Sequence, residues 1–169
     1  MAYTFKILSE FDLCILVYSG RVELKDFDDV WAALAAIDDR SHQYDALVLL
    51  APDADYSHMA PASTPDQSDR YVDRFRGAPI ASIKHSAFVC GSELLFTMSR
   101  MFSAFVDTRI LPNIAVNQFM SLRPALDWLD DGRDASPLNR EEISSEIVRL
   151  GQEWCLRDKP PGFRSLRSS

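Results

Sequence analysis

The sequence predicts an α/β fold: a mostly parallel five-stranded sheet with one antiparallel edge strand, flanked by helices, with a further helix appended at the carboxyl end. Three observations predict it. Short runs rich in β-branched and aromatic residues alternate with longer segments whose apolar residues recur at helical spacing. Only a few polar residues, around Glu10 and Asp12, separate the first two runs, which suits a hairpin. The run at 44–51 is apolar almost throughout, as a strand covered on both faces requires, and that points to parallel pairing.

The elements follow in order. Residues 4–9 and 13–19 form the hairpin, and Gly20 breaks its second strand. From Leu24 the period changes: Phe27, Val30, Trp31, Leu34 and Ile37 sit at helical spacing, with Asp26, Asp28 and Asp29 in the first turns, where carboxylates complement the helix dipole. The strand at 44–51 follows, then a loop over 53–63. Thr64-Pro65-Asp66-Gln67 then gathers four helix-start signals, and the helix it opens ends near Gly77 because Pro79 cannot continue it. A strand over 83–90 leads through Gly91-Ser92-Glu93 into a third helix, on which Leu94, Leu95, Met98, Phe102 and Phe105 make a broad apolar face. The last strand covers 114–119, and Ser121 caps a short helix with Leu122, Ala125, Leu126 and Leu129 inward. Strands 13–19, 44–51, 83–90 and 114–119 are expected to be parallel and joined by right-handed crossovers. Ile15, Val17, Trp31, Leu34, Val48, Leu50, Phe88, Leu95, Val116 and Leu126 are expected in the core.

The chain has 169 residues, 47% apolar and 25% charged, which is the composition of one globular domain able to build a core without staples. Its three cysteines, Cys14, Cys90 and Cys155, are far apart and odd in number, so neither a disulfide framework nor a zinc site is expected, and a reducing cytoplasm is the expected location. The 13 residues from 110 to 122 are the longest stretch without an ionisable side chain and are broken by Pro112, too short to span a bilayer. Residues 1–6 lead straight into a strand pattern, so no export signal is expected. A net charge of −7 opposes nucleic-acid binding, which needs clustered Lys and Arg. Residues 1–130 carry 18 acidic and 11 basic side chains and 131–169 carry 7 of each, which fits a boundary near Asp130. The expected organisation is a domain over 1–130 and a linker, extension helix and tail over 131–169.

Three segments carry a family resemblance. Ser86-Ala87-Phe88-Val89 with the helix containing Met98-Ser99-Arg100-Met101-Phe102, the closing run Phe119, Leu122 and Ala125-Leu126-Asp127-Trp128-Leu129, and Gly20 with its following helix resemble the bacterial STAS/SpoIIAA-like family, whose architecture is shared with lipid-carrying CRAL-TRIO domains. The resemblance spans residues 4–130 and implies a SpoIIAA-like fold, not a catalytic activity, because none of these residues is chemical. Family members that act as anti-sigma antagonists carry a Ser followed closely by Gly after the third strand, where phosphorylation switches partner binding. Here that stretch is Ala51-Pro52-Asp53-Ala54-Asp55-Tyr56-Ser57 without the pair; Ser57, Ser63 and Thr64 are poor substitutes, since Asp53, Asp55 and Asp66 would repel a phosphate.

Other constellations favour plain roles. Asp53, Asp55 and His58 fall in a loop that fixes no ligand direction, so a solvated loop is expected there rather than a metal. His42, His58 and His85 lack any nucleophile turn to serve. At Cys90-Gly91-Ser92-Glu93 a helix start follows a strand end, where open α/β sheets collect ligands, but Glu93 already satisfies the dipole and Cys90 reads as a buried strand residue. The third helix is rich in Phe and Met beyond what one sheet face needs, which suits core packing, an apolar pocket or a partner surface. The expected function is a non-catalytic STAS-like regulatory or interaction module that binds a protein partner or itself. The alternative is a carrier of a small apolar ligand or lipid, with a pocket beside the third helix. Gly91, Ser92, Met98, Met101 and Phe102 are the candidate ligand-binding residues; no catalytic residue, cofactor or metal is assigned.

In the extension, Asn139 with Glu142 three residues on opens a helix expected to run to about Leu156, with Ile143, Ile147, Leu150 and Trp154 in one stripe. Val148, Gly151 and Cys155 suggest a small-residue edge, and a homodimer contact there is expected over packing on the chain's own sheet. The tail from Lys159 has no period and is expected to be extended unless docked.

Overall fold

A computed structural model describes residues 2–36, 43–57, 83–109, 114–133 and 136–157. The helix expected over 64–77, the loop residues 58–63, His42 and the tail from Lys159 lie outside the described residues, as do the side chains of Trp31, Phe102 and Phe105. The elements are β1 (Tyr3–Leu8), β2 (Leu13–Tyr18), α1 (Leu24–Ala35), β3 (Tyr44–Leu50), β4 (Ile83–Cys90), α2 (Glu93–Arg109), β5 (Ala115–Phe119), α3 (Leu122–Asp131) and α4 (Arg140–Arg149). Strand order is β1-β2-β3-β4-β5. β1 is antiparallel to β2, and every other neighbouring pair is parallel. The turn between β1 and β2 is a short 3-10 segment closed by Asp12 in the left-handed region, φ 48°.

Every residue of β2 and β3 is buried, because both sheet faces are covered. On one face Cys14, Leu16, Val48 and Leu50 pack with Val30 and Leu34 of α1 and Leu95 of α2. These two helices lie on one face, as successive crossovers of one hand require when strand order runs without reversal. On the other face Leu13, Ile15, Leu47, Leu49, Ala87 and Val89 pack with Leu122, Ala125, Leu126 and Leu129 of α3 and with Ile143 and Ile147 of α4. Among the described residues no crossover helix covers this second face, and the chain beyond β5 covers it. Of the expected core, Ile15, Val17, Leu34, Val48, Leu50, Leu95 and Leu126 are buried, whereas Phe88 and Val116 are half-buried.

The extension corrects the sequence expectation in three respects. Its helix ends at Arg149 rather than near Leu156, because Gly151 adopts φ 72° and closes it: the Gly151 N–H reaches the Val148 carbonyl at 2.9 Å and the Gln152 N–H reaches the Ile147 carbonyl at 3.0 Å. A 3-10 turn over Glu153–Leu156 follows and lays Trp154 and Cys155 against the core. The small-residue edge does not form either, since Val148 is exposed while Cys155 is buried. The homodimer contact expected on this helix is corrected too: its apolar stripe of Ile143 and Ile147 is buried in the chain's own core, against the sheet face lined by Leu13, Ile15 and Leu47. At the start of α4, Asn139 caps as expected, its side-chain oxygen accepting the Glu142 N–H at 3.2 Å.

Candidate functional site

The predicted site begins where β4 runs into α2. A Cβ on Gly91 would stand 2.5 Å from the Pro52 nitrogen and 2.9 Å from the Ala51 carbonyl carbon, and the Gly91 N–H donates to the Leu50 carbonyl at 2.8 Å. Backbone therefore lies directly on backbone between the β3 and β4 ends, and only glycine fits. Ser92 caps α2, its Oγ accepting the Leu95 N–H at 3.2 Å, with Glu93 in the first turn. Both residues are thus engaged in local structure. The strand order has no reversal among the described strands, so it supplies no splayed crevice of the doubly wound kind. Beyond β3, exposed Ser57 donates its N–H to the Asp55 carboxylate at 2.9 Å, so a phosphate added there would meet a negative charge.

Cys90 is fully buried, within 3.3 Å of the Ser99 hydroxyl, and burial pushes its thiol up to about 11. That is the opposite of an activated thiolate. Nearby, Tyr18 stacks on Phe27 with ring centroids 4.9 Å apart, and Tyr56 joins them edge-on. Burial raises both tyrosines.

Along α2 the inward line is Leu95, Ser99 and Ser103, all buried. Ser99 and Ser103 return hydrogen bonds to the helix carbonyls of Phe96 and Ser99 at 2.9 Å each, and Ser103 also accepts from the Gln118 side chain of β5. Small polar residues thus let the helix lie close to β4 and β5. On the flank next to this line stand Leu94, 69% exposed, half-buried Met98 and Met101, 62% exposed. Leu94, expected to face the sheet, faces outward instead. The spacing of four and three residues puts the three side chains on one strip of surface. Phe102 belongs to α2, but its side chain is outside the described residues. Met98 and Met101 are therefore brought together, and Leu94 joins them, while Gly91 and Ser92 serve the junction.

Sequence reasoning missed a second cluster at the other end of the strands. The register of β3 and β4 sets Asp45 and His85 on one face, with Nδ1 of His85 2.8 Å from the Asp45 carboxylate. Arg133, from the segment after α3, brings its Nε within 3.4 Å of the other Asp45 oxygen and donates through Nη2 to the Phe11 carbonyl. Its side chain is 3% exposed, and neither its Nε, which meets Asp45 as an ion pair only, nor its Nη1 has a hydrogen-bond partner. The His85 ring meets Trp128 edge-on at 5.8 Å. One carboxylate thus ties β3 and β4 to the start of the extension, as a clasp. The signal in the sequence was Asp45 itself, an acid inside an otherwise apolar strand.

Among the described residues no group of three or more His, Cys, Asp or Glu is placed to hold a metal. No helix among them is long and apolar enough to cross a membrane. Compared with known proteins, the chain matches no family model, no curated protein and no solved structure.

Proposed function

We propose that the chain is a non-catalytic, STAS-like regulatory or interaction module that acts through the outer flank of α2. One observation carries the proposal: α2 buries Ser99 and Ser103 against the sheet while it turns Leu94 and Met101 into solvent. Folding alone favours the reverse assignment, with Leu and Met inside and Ser outside. Large apolar side chains set in a row on a helix flank mark a contact surface, and methionine suits one because its flexible thioether adapts to a partner. The closing helix, with Ala125-Leu126-Asp127-Trp128-Leu129 packed as core and edge, supports the STAS-like side of the proposal, since those residues carry the resemblance. The apolar-carrier alternative draws less support, because the sheet side of α2 is lined by hydrogen-bonded serines.

Native mass spectrometry of freshly isolated protein tests this, run beside the double variant Leu94→Asp, Met101→Asp. The expected result is a bound protein mass, partner or second copy, on the wild type and none on the variant, with circular dichroism and melting temperature unchanged. A small apolar molecule carried by both proteins, with no bound protein, would overturn the proposal in favour of the carrier.

A further inference from the structure

We infer that Met101 is a modification site: of the sulfur atoms in the described residues, its thioether is the one that a peroxide oxidises first, and the sulfoxide turns the outer flank of α2 from apolar to polar. That the change falls on a contact surface rests on the reading of α2 given above; the site itself does not. The described residues hold three cysteines, Cys14, Cys90 and Cys155, and three methionines, Met98, Met101 and Met120. A thiol is ordinarily the first target of a peroxide, because its thiolate is the stronger nucleophile. Here all three thiols are withheld. Each is buried, and burial pushes Cys90 up to about 11, Cys155 up to about 12 and Cys14 upward as well. Two of the methionines are withheld in part, Met120 half-buried against the core directly after β5 and Met98 half-buried on α2. Met101 is 62% exposed. A thioether has no proton to lose, so access to the oxidant decides its rate.

The step is a two-electron oxygen transfer. A lone pair of the Met101 sulfur attacks one oxygen of hydrogen peroxide, the O–O bond breaks as the S–O bond forms, and the departing hydroxide takes the proton of the transferred oxygen to leave water. Sulfur is oxidised and the peroxide reduced, by two electrons each. A dithiol reverses the change, returning the thioether with a disulfide and water. The helix tolerates the product, because Met101 faces away from the sheet while the inward contacts of α2 run through Ser99 and Ser103. The flank does not keep its character. Leu94, Met98 and Met101 lie on one strip, so a polar sulfoxide ends the apolar row and has to be desolvated in any contact made there. Covering a methionine side chain contributes about tenfold or more to an affinity, and oxidation removes that factor.

The test treats the full chain with hydrogen peroxide at neutral pH and follows each sulfur in time by peptide mass spectrometry. Met101 should become the sulfoxide while Met98 and Met120 are still mostly thioether and all three cysteines are still thiols. The converted protein should leave a phenyl-agarose column earlier than the untreated one. Met101→Gln should elute early without peroxide, and Met101→Leu should elute late both before and after treatment. The two epimer-specific methionine sulfoxide reductases with a dithiol should return the wild type to its late position. Unchanged melting temperatures check that every form is folded. Oxidation of Met98 or Met120 as fast as Met101, earlier loss of a thiol, or a Met101 sulfoxide that left elution unchanged would each overturn the inference. These readouts need no partner, so the two readings fail separately. Selective oxidation of Met101 with no protein bound to the flank would keep the modification site and sink the interaction module, whereas a Leu94-dependent bound protein with Met98 oxidised first would do the reverse.

Discussion

Ile147 decides whether the extension belongs to the core. Its side chain is fully buried with Leu13, Ile15, Leu47 and Leu126 between α4 and the face of the sheet opposite α1 and α2. Ile147→Ala removes three carbons from this packed site and leaves a cavity, at a cost of 2–5 kcal/mol, with about 3 kcal/mol expected because neighbouring Ile143 can relax only partly. Against a total stability of about 5–15 kcal/mol this is a large fraction. For a domain of this size it lowers the melting temperature by about 6–12 °C. The assay is urea unfolding followed by circular dichroism, at two protein concentrations well apart. Val148→Ala, one residue on and 45% exposed, is the control, with an expected change within about 0.5 kcal/mol. The Ile147 loss should be the same at both concentrations because the site lies within one chain. A loss under about 1 kcal/mol, or one that grew on dilution, would refute the packing argument and place α4 against a second subunit.

Two further outcomes follow from buried groups. Asp45→Asn leaves Arg133 buried without its counter-charge and should cost about 3–5 kcal/mol in denaturant unfolding, whereas adding Arg133→Met in the same chain should recover most of the loss. Burial pushes the Cys90 and Cys155 thiols up to about 11 and about 12, against 9.0 in the unfolded chain, so neither should react with a thiol reagent at pH 8 until the protein unfolds. The folded state keeps those protons longer, so the contribution of the thiols to stability is intact below pH 9 and lost as pH rises towards 11 and 12; Cys90→Ala, Cys155→Ala should show a shallower decline over that window.

The sequence by itself determined the five strands and their pairing sense. Period-2 and apolar runs fix where strands lie, and the run at 44–50, apolar but for Asp45, already implied the two-sided burial that β3 has, since such a strand loses too much by facing water on either side. Asn139 marked the start of α4 because capping is a local matter between a side chain and an N–H three residues away. The end of α4 was equally local, in Gly151, but the apolar stripe continued past it and masked the signal.

What only the tertiary structure decided is what each helix face looks at. The Leu, Met and Phe of α2 read as one apolar face, yet packing close to β4 and β5 selects the small side chains Ser99 and Ser103 for the inside and leaves Leu94 and Met101 outside. The side that faces the sheet is set by the registers of both neighbouring strands, which no local pattern encodes. The clasp was invisible for a similar reason: Asp45, His85 and Arg133 meet only through the β3–β4 register and the path of the chain after α3. The destination of the extension likewise followed from topology. A strand order without reversal puts the described crossover helices α1 and α2 on one face, and the second face takes α3 and α4 from the same chain.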